Sequence, residues 1–180
     1  LTPQRGEKRR LVETARENAR QLLEQHLSGR QSIEEIQRDI MERFHLAAQP
    51  ETMECYDIST IQGFATVGSM VTFRNGEPDK ARYRRYRIKT IEGIDDFGSM
   101  REVLMRRFRR VASGEEEPPG LVVIDGGKGQ LAVATAVLEE LGLTSQPIVG
   151  LAKARVKHRG DELYRTEERF FLPGRKNPVV

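Results

Sequence analysis

The chain has 180 residues, with 30 Lys and Arg against 27 Asp and Glu, a net charge of +3 and a single cysteine. That length supports one good core with a small appendage, and one cysteine excludes an internal disulfide framework and fits a reducing, cytoplasmic setting. No run approaches the roughly 18 apolar residues of a membrane span and no signal-peptide pattern opens the chain, so no membrane partner is expected.

In chain order, Glu7 to Leu27 reads as a helix: Leu11, Ala15, Ala19, Leu22 and Leu23 recur at three- and four-residue spacing. Ser28-Gly29 ends it. Ser32 and Glu35 form a capping-box pattern ahead of Ile36, Ile40, Met41 and Phe44, which predicts a second helix. These make a helical lead-in over residues 1–50, with Gln49-Pro50 as its boundary and the main domain over 51–180. From Thr52 the period changes to two. Strands are expected over 52–58, over 66–73 and, after an Asn75-Gly76 hairpin turn, over 81–89 with Tyr86 and Ile88 facing the core. Three strands joined by short turns form an antiparallel meander.

A helix capped by Asp95 or Asp96 follows, with Phe97, Met100, Val103, Leu104 and Phe108 as its apolar stripe. The acidic, proline-rich run Glu115 to Gly120 is expected to be exposed. Leu121 to Ile124 is apolar throughout, as in a strand covered on both faces. A helix over 129–141 and a strand over 147–151 come next, and the stretch from Ala152 to Leu172 folds as a hairpin around Arg159-Gly160. Strand–helix–strand links of this size form parallel crossovers, so the expected class is α/β, a mixed sheet with helices on both faces. Leu1 at the start and Asn177-Pro178-Val179-Val180 at the stop read as a piece of something longer.

Asp57 and Asp125 are the residues that apolar strands do not explain. A buried carboxylate costs several kcal/mol unless it is paired or binds a cation. If their strands are neighbours and the carboxylates lie about 4–5 Å apart, they repel by roughly 3–4 kcal/mol at an effective dielectric near 20. Either one takes up a proton or a divalent cation, Mg²⁺ by its preference for oxygen, sits between them. The alternative is that Asp57 begins a turn and Asp125 caps the next helix. Gly126-Gly127-Lys128-Gly129 lacks the Ser or Thr and the glycine spacing of a P-loop; it reads as a tight strand-to-helix turn whose glycines let backbone approach a phosphate with Lys128 at the helix start, or as a plain turn with a solvated lysine. Between Arg74 and Arg110 there are twelve Lys and Arg against six Asp and Glu. There Arg84 and Arg85, with Arg106 and Arg107, interleave with aromatics as candidate contacts to a nucleic-acid backbone, or as solvated faces. His26, His45 and His158 make no site by spacing.

The run Glu54 to Gly63 resembles the start of the C-terminal endonuclease domain of the UvrC family of excision-repair nucleases. So do Tyr83 to Thr90, Asp95-Asp96-Phe97, Ile124 to Gln130 and Gly150-Leu151-Ala152-Lys153; Pro3 to Arg10 is similar to that family's middle segment. The resemblance implies a ribonuclease-H-like fold that uses Mg²⁺ or Mn²⁺ to cut 5′ of a lesion in double-stranded DNA. It implies Asp57 and Asp125 as metal-binding carboxylates, Asp96 as a further acid, and partnership with UvrA and with UvrB through a segment outside this chain. Lys153 joins Lys128 and the arginines as a candidate DNA contact. The family's site also contains a histidine on a helix beyond Phe171-Leu172-Pro173-Gly174. The chain ends before that helix, and His158 is no substitute. A ribonuclease-H-like module that binds DNA or protein without catalysis is therefore the rival expectation.

Overall fold

The computed structural model describes residues 16, 19–20, 32–61, 65–91, 93–154, 156–159, 162–165 and 168–179. Two compact units divide it, Leu1–Asp39 and Ile40–Val180. In the first, Arg16, Ala19 and Arg20 are helical and exposed; the rest of the helix expected over 7–27 lies outside the described residues. Residues 32–44 are helical (α1), and Ser32 is already inside the element it was expected to cap.

The second unit is built on a seven-stranded mixed sheet. β1 (Thr52–Ile61) and β2 (Ala65–Arg74) pair antiparallel. Asn75 and Gly76 both have positive φ, 50° and 79°, as a tight hairpin turn with the strands' own twist requires. The third strand of the meander is interrupted. β3 (Glu77–Pro78) pairs with the end of β2, a 3-10 turn follows at Lys80–Arg82, and β4 (Arg84–Arg87) returns to β2 between Val67 and Met70. One more ladder bond forms past Pro78, from the Asp79 amide to the Thr72 carbonyl at 2.8 Å, before the 3-10 turn carries the chain off the sheet.

β5 (Leu121–Asp125) lies parallel to β1 on one side and to β6 (Ile148–Ala152) on the other. Its Leu121, Val122 and Ile124 are buried, as a central parallel strand demands. β7 (Val156–Arg159) and β8 (Glu162–Arg165) form the expected hairpin as a separate two-stranded sheet. β9 (Arg169–Phe171) pairs antiparallel with β6 at the sheet edge in the same register, Ala152 facing Arg169, so it is the base of the hairpin expected from Ala152 to Leu172.

Each face of the sheet has its own core. On one, α2 (Asp96–Ala112) and α3 (Lys128–Glu140) pack Met100, Val103, Leu104, Phe108, Leu131 and Val137 against Tyr56, Val122 and Ile124, with Tyr86 and Ile88 at the margin as expected. α2 comes so close to β2 that a Cβ on Gly68 would run into Val103. On the other face Phe44 covers Leu121 and Val149, joined by Ile40, Met53 and Phe170, so the second unit begins inside α1. Two further expectations fail. Phe97, placed on the apolar stripe of α2, is 52% exposed. The Glu115 to Gly120 run is not wholly solvated: Pro119 is buried and its carbonyl accepts from the Gln146 side chain. Among the described residues no helix is long and apolar enough to cross a membrane.

Candidate active site

Asp57 and Asp125 come together through strand register. In the parallel β1–β5 ladder Met53 faces Leu121 and Tyr56 faces Ile124, so the next step along both strands is Asp57 beside Asp125. Tyr56 and Ile124 point into the α2–α3 core, and alternation sends both aspartates to the opposite face. Asp57 still has its antiparallel partner, Ser69 of β2, whereas β5 ends at Asp125 and the chain turns away through Gly126-Gly127. Both side chains are half-buried.

Each carboxylate has a polar neighbour. The Ser59 hydroxyl donates to Asp57 Oδ2 at 2.6 Å. The Lys153 ammonium donates to Asp125 Oδ2, also at 2.6 Å. Lys153 stands just past β6 with its side chain 71% exposed. The bond to Asp125 and the charges of Asp125 and Asp57 hold its pKa above the usual lysine value. Cys55, on the same face of β1, is pushed up to about 11 by burial and then by the charges of Asp125 and Glu54, so its thiol stays protonated.

Two carboxylates on adjacent strand positions form a hard-oxygen donor set, which suits Mg²⁺ or Mn²⁺ with several retained waters. The Lys153 ammonium already marks the spot as one that draws positive charge. The residues fit such an ion. Asp96 lies in the first turn of α2 behind its cap Asp95, whose Oδ1 accepts from the Gly98 amide at 2.9 Å. Among the described residues no three His, Cys, Asp or Glu side chains cluster as a metal cage, so Asp96 does not complete one with the pair.

The expected DNA contacts divide. Arg84 and Arg85 are exposed on β4, Arg106 is partly exposed on α2 and lies 5.2 Å over the Tyr86 ring, and Lys128 is exposed at the start of α3. The Lys128 ammonium donates to the Lys176 carbonyl at 2.6 Å, which ties the head of α3 to the tail. Arg107 is a correction. Its side chain is 6% exposed and forks onto Glu54 through Nε at 3.2 Å and Nη2 at 2.7 Å, so it is a core residue whose remaining nitrogen, Nη1, faces Glu116 and not solvent. The signal was in the spacing: Arg107 falls four residues after Val103 and four before Val111, on the apolar stripe of α2. Its partner Glu54 alternates with Tyr56 on β1's buried face.

Residues 41–180 match the family described as the UvrC RNase H endonuclease domain. The chain belongs to that family. It is 51% identical over 181 residues to the UvrABC system protein C of Bdellovibrio bacteriovorus, covering 99% of this chain and 28% of that protein. With the protein of the same description from Geobacter metallireducens it is 49% identical over 180 residues, covering 99% and 29%. The chain therefore spans less than a third of the length of these relatives. Among solved structures, human ENDOV is similar with a TM-score of 0.42 and 16% identity over 62% of this chain and 50% of that one. The unit is thus a member of the UvrC RNase H endonuclease domain family, and its mixed sheet is the ribonuclease-H-like arrangement expected from the sequence.

Proposed function

We propose that this chain is the metal-dependent part of a nucleotide-excision-repair endonuclease, and that it hydrolyses the phosphodiester 5′ of a lesion in double-stranded DNA. The observation that carries the reading is the register of the β1–β5 ladder, whose last pair, Tyr56 and Ile124, is followed on both strands by an aspartate, Asp57 and Asp125. Asp57 and Asp125 would hold Mg²⁺ or Mn²⁺, and Asp96, which stands apart from the pair in the free chain, would join them from α2. A divalent ion bound there supplies Lewis acidity and an activated water to phosphodiester hydrolysis. The Ser59 hydroxyl fixes the orientation of the Asp57 carboxylate, and Lys153 holds Asp125 until the site is loaded, then turns toward phosphate. Arg84, Arg85, Arg106 and Lys128 contact the DNA backbone. The chain works in the cytoplasm with UvrA and UvrB, the latter engaged through a segment outside these 180 residues.

The test is incision of a lesion-bearing duplex by the chain in its full-length context with UvrA, UvrB and Mg²⁺ or Mn²⁺. Asp57→Ala and Asp125→Ala are expected to lower 5′ incision at least about 100-fold, since the ion accounts for several kcal/mol of barrier. Undiminished incision would sink the assignment. One observation favours a second reading, a binding module without catalysis: Lys153 already neutralises Asp125. Saturable Mn²⁺ binding that disappears in Asp57→Asn separates the two.

A further inference from the structure

The face of the sheet covered by α2 carries a cleft of about 580 Å³, lined by Arg82, Arg84, Arg106, Arg110, Tyr86 and the loop Glu115–Glu117. Its floor is the Glu54–Arg107 pair. Glu54 precedes Asp57 by three residues and points to the other face, so the cleft is displaced by roughly 10 Å along β1 from the carboxylate pair. Its lining cations are all arginines, whose planar forks match phosphate oxygens. Two of them are fixed in advance. Arg84 Nη1 donates to the Ala81 and Tyr83 carbonyls, and Arg106 Nη1 donates to the Arg87 carbonyl.

Glu116 sits in the anion position of this cleft. Its Oε2 is 2.9 Å from Arg107 Nη1 and its Oε1 2.6 Å from Arg110 Nε, so one carboxylate bridges two guanidiniums as a phosphate would. The fit is incomplete. Arg107 Nη1 is buried and has no hydrogen bond of acceptable geometry despite the short charge contact. Glu116 reaches in from the loop between α2 and β5 and is 38% exposed. A carboxylate on a proline-bounded loop is a replaceable occupant, and a tetrahedral phosphate with more acceptor oxygens can satisfy the donor that Glu116 leaves unmet.

We propose that this cleft is a second phosphate site for the nucleic-acid strand, occupied by Glu116 in the free protein and surrendered to a backbone phosphate on binding. The proposal rests on the reading of the chain as a DNA-directed endonuclease and adds a docking point away from the carboxylates. It is tested by the anisotropy of a labelled duplex titrated with the 180-residue chain in EDTA across a NaCl series. Glu116→Gln is expected to tighten binding roughly 5-fold and to steepen the log–log salt slope by about one, the signature of one more phosphate neutralised. Glu117→Gln, on the same loop, should change affinity less than about 2-fold, and Arg110→Ala should abolish the gain from Glu116→Gln. Equal gains from Glu116→Gln and Glu117→Gln, or a gain that survives Arg110→Ala, would mean diffuse repulsion and overturn the site. Displacement of the duplex by poly-glutamate as readily as by unlabelled duplex would overturn its assignment to nucleic acid. A chain that binds duplex without any effect of Glu116 sinks this site alone, whereas one that binds no duplex sinks the functional reading with it.

Discussion

Two ion pairs of this chain look alike on paper and differ in energy because one is dry. Arg107 and Glu54 are 6% and 4% exposed, and the Tyr56 hydroxyl adds a third bond to Glu54 Oε2 at 2.6 Å. Burial, then the charge of Glu54, drives the Tyr56 pKa well above its usual value, so the phenol remains a donor. Removing either partner strands a charge in the core. Glu54→Ala and Arg107→Ala are each expected to lower unfolding free energy by about 3–5 kcal/mol in urea titrations. Lys153→Ala, which removes a partner that is 71% exposed, should change it by no more than about 1 kcal/mol. A loss below about 1 kcal/mol at Glu54 would show that the buried pair is not holding β1 to α2. The arginine-rich run around Arg107 illustrates how charge composition misleads: one position in it belongs to the helix's apolar stripe, and only the spacing says so.

At the scale of elements, α2 is the organiser, because it touches both the meander and α3 and also anchors the linker that leaves β4. Glu102 accepts from the Lys89 and Thr90 amides at 3.1 and 2.9 Å and from the Thr90 hydroxyl at 2.7 Å. Burial pushes its carboxyl up, but the Thr90 bonds, the Lys89 amide and Arg106 outweigh that and hold it below the ordinary value of 4.5. A depressed carboxylate stabilises above its unfolded pKa, and that contribution disappears as pH falls through the folded one. Melting temperatures of the parent chain should therefore fall more steeply than those of Glu102→Gln below about pH 4.5; parallel acid limbs would refute the linkage. The elements legible in the sequence were those with long, clean periods: β1, β2, β5, α2 and α3. β9 was legible only as the far arm of the hairpin expected from Ala152 to Leu172, because three residues carry no period of their own and gain strand geometry from the edge of β6. Phe97 failed because, in the first turn of α2, its ring lies against Gly129 at the start of α3 and about half of it stays in solvent. The aspartate pair was legible as an energetic oddity, but its register needed β1 and β5 to be neighbours, which no local pattern contains. Glu116 and its cleft were invisible, being made by loop and helix residues that meet only in the fold.

At the scale of the whole molecule, the candidate site is a local conflict that ligand binding can resolve into global stability. Asp57 and Asp125 each follow the last pair of the β1–β5 ladder, with the exposed Lys153 on Asp125 and the Ser59 hydroxyl on Asp57, so two carboxylates share the end of the ladder with one cation. A divalent ion that binds the folded chain and not the unfolded one raises stability by RT ln(1 + [L]/Kd), about 2.7 kcal/mol at 100 times Kd. For a chain of this length that corresponds to a rise of about 5–10 °C in Tm. Thermal melts in EDTA and in increasing Mg²⁺ or Mn²⁺ should show this concentration-dependent rise, and Asp57→Asn and Asp125→Asn should abolish it. The same substitutions should leave Tm in EDTA unchanged or higher, because each removes half of a repulsive pair. A flat response to metal, or one that survives both substitutions, would leave the register without its proposed chemistry. Tm reports binding even where cleavage does not occur, so this measurement tests the ion separately from the histidine that the family resemblance places beyond Val180.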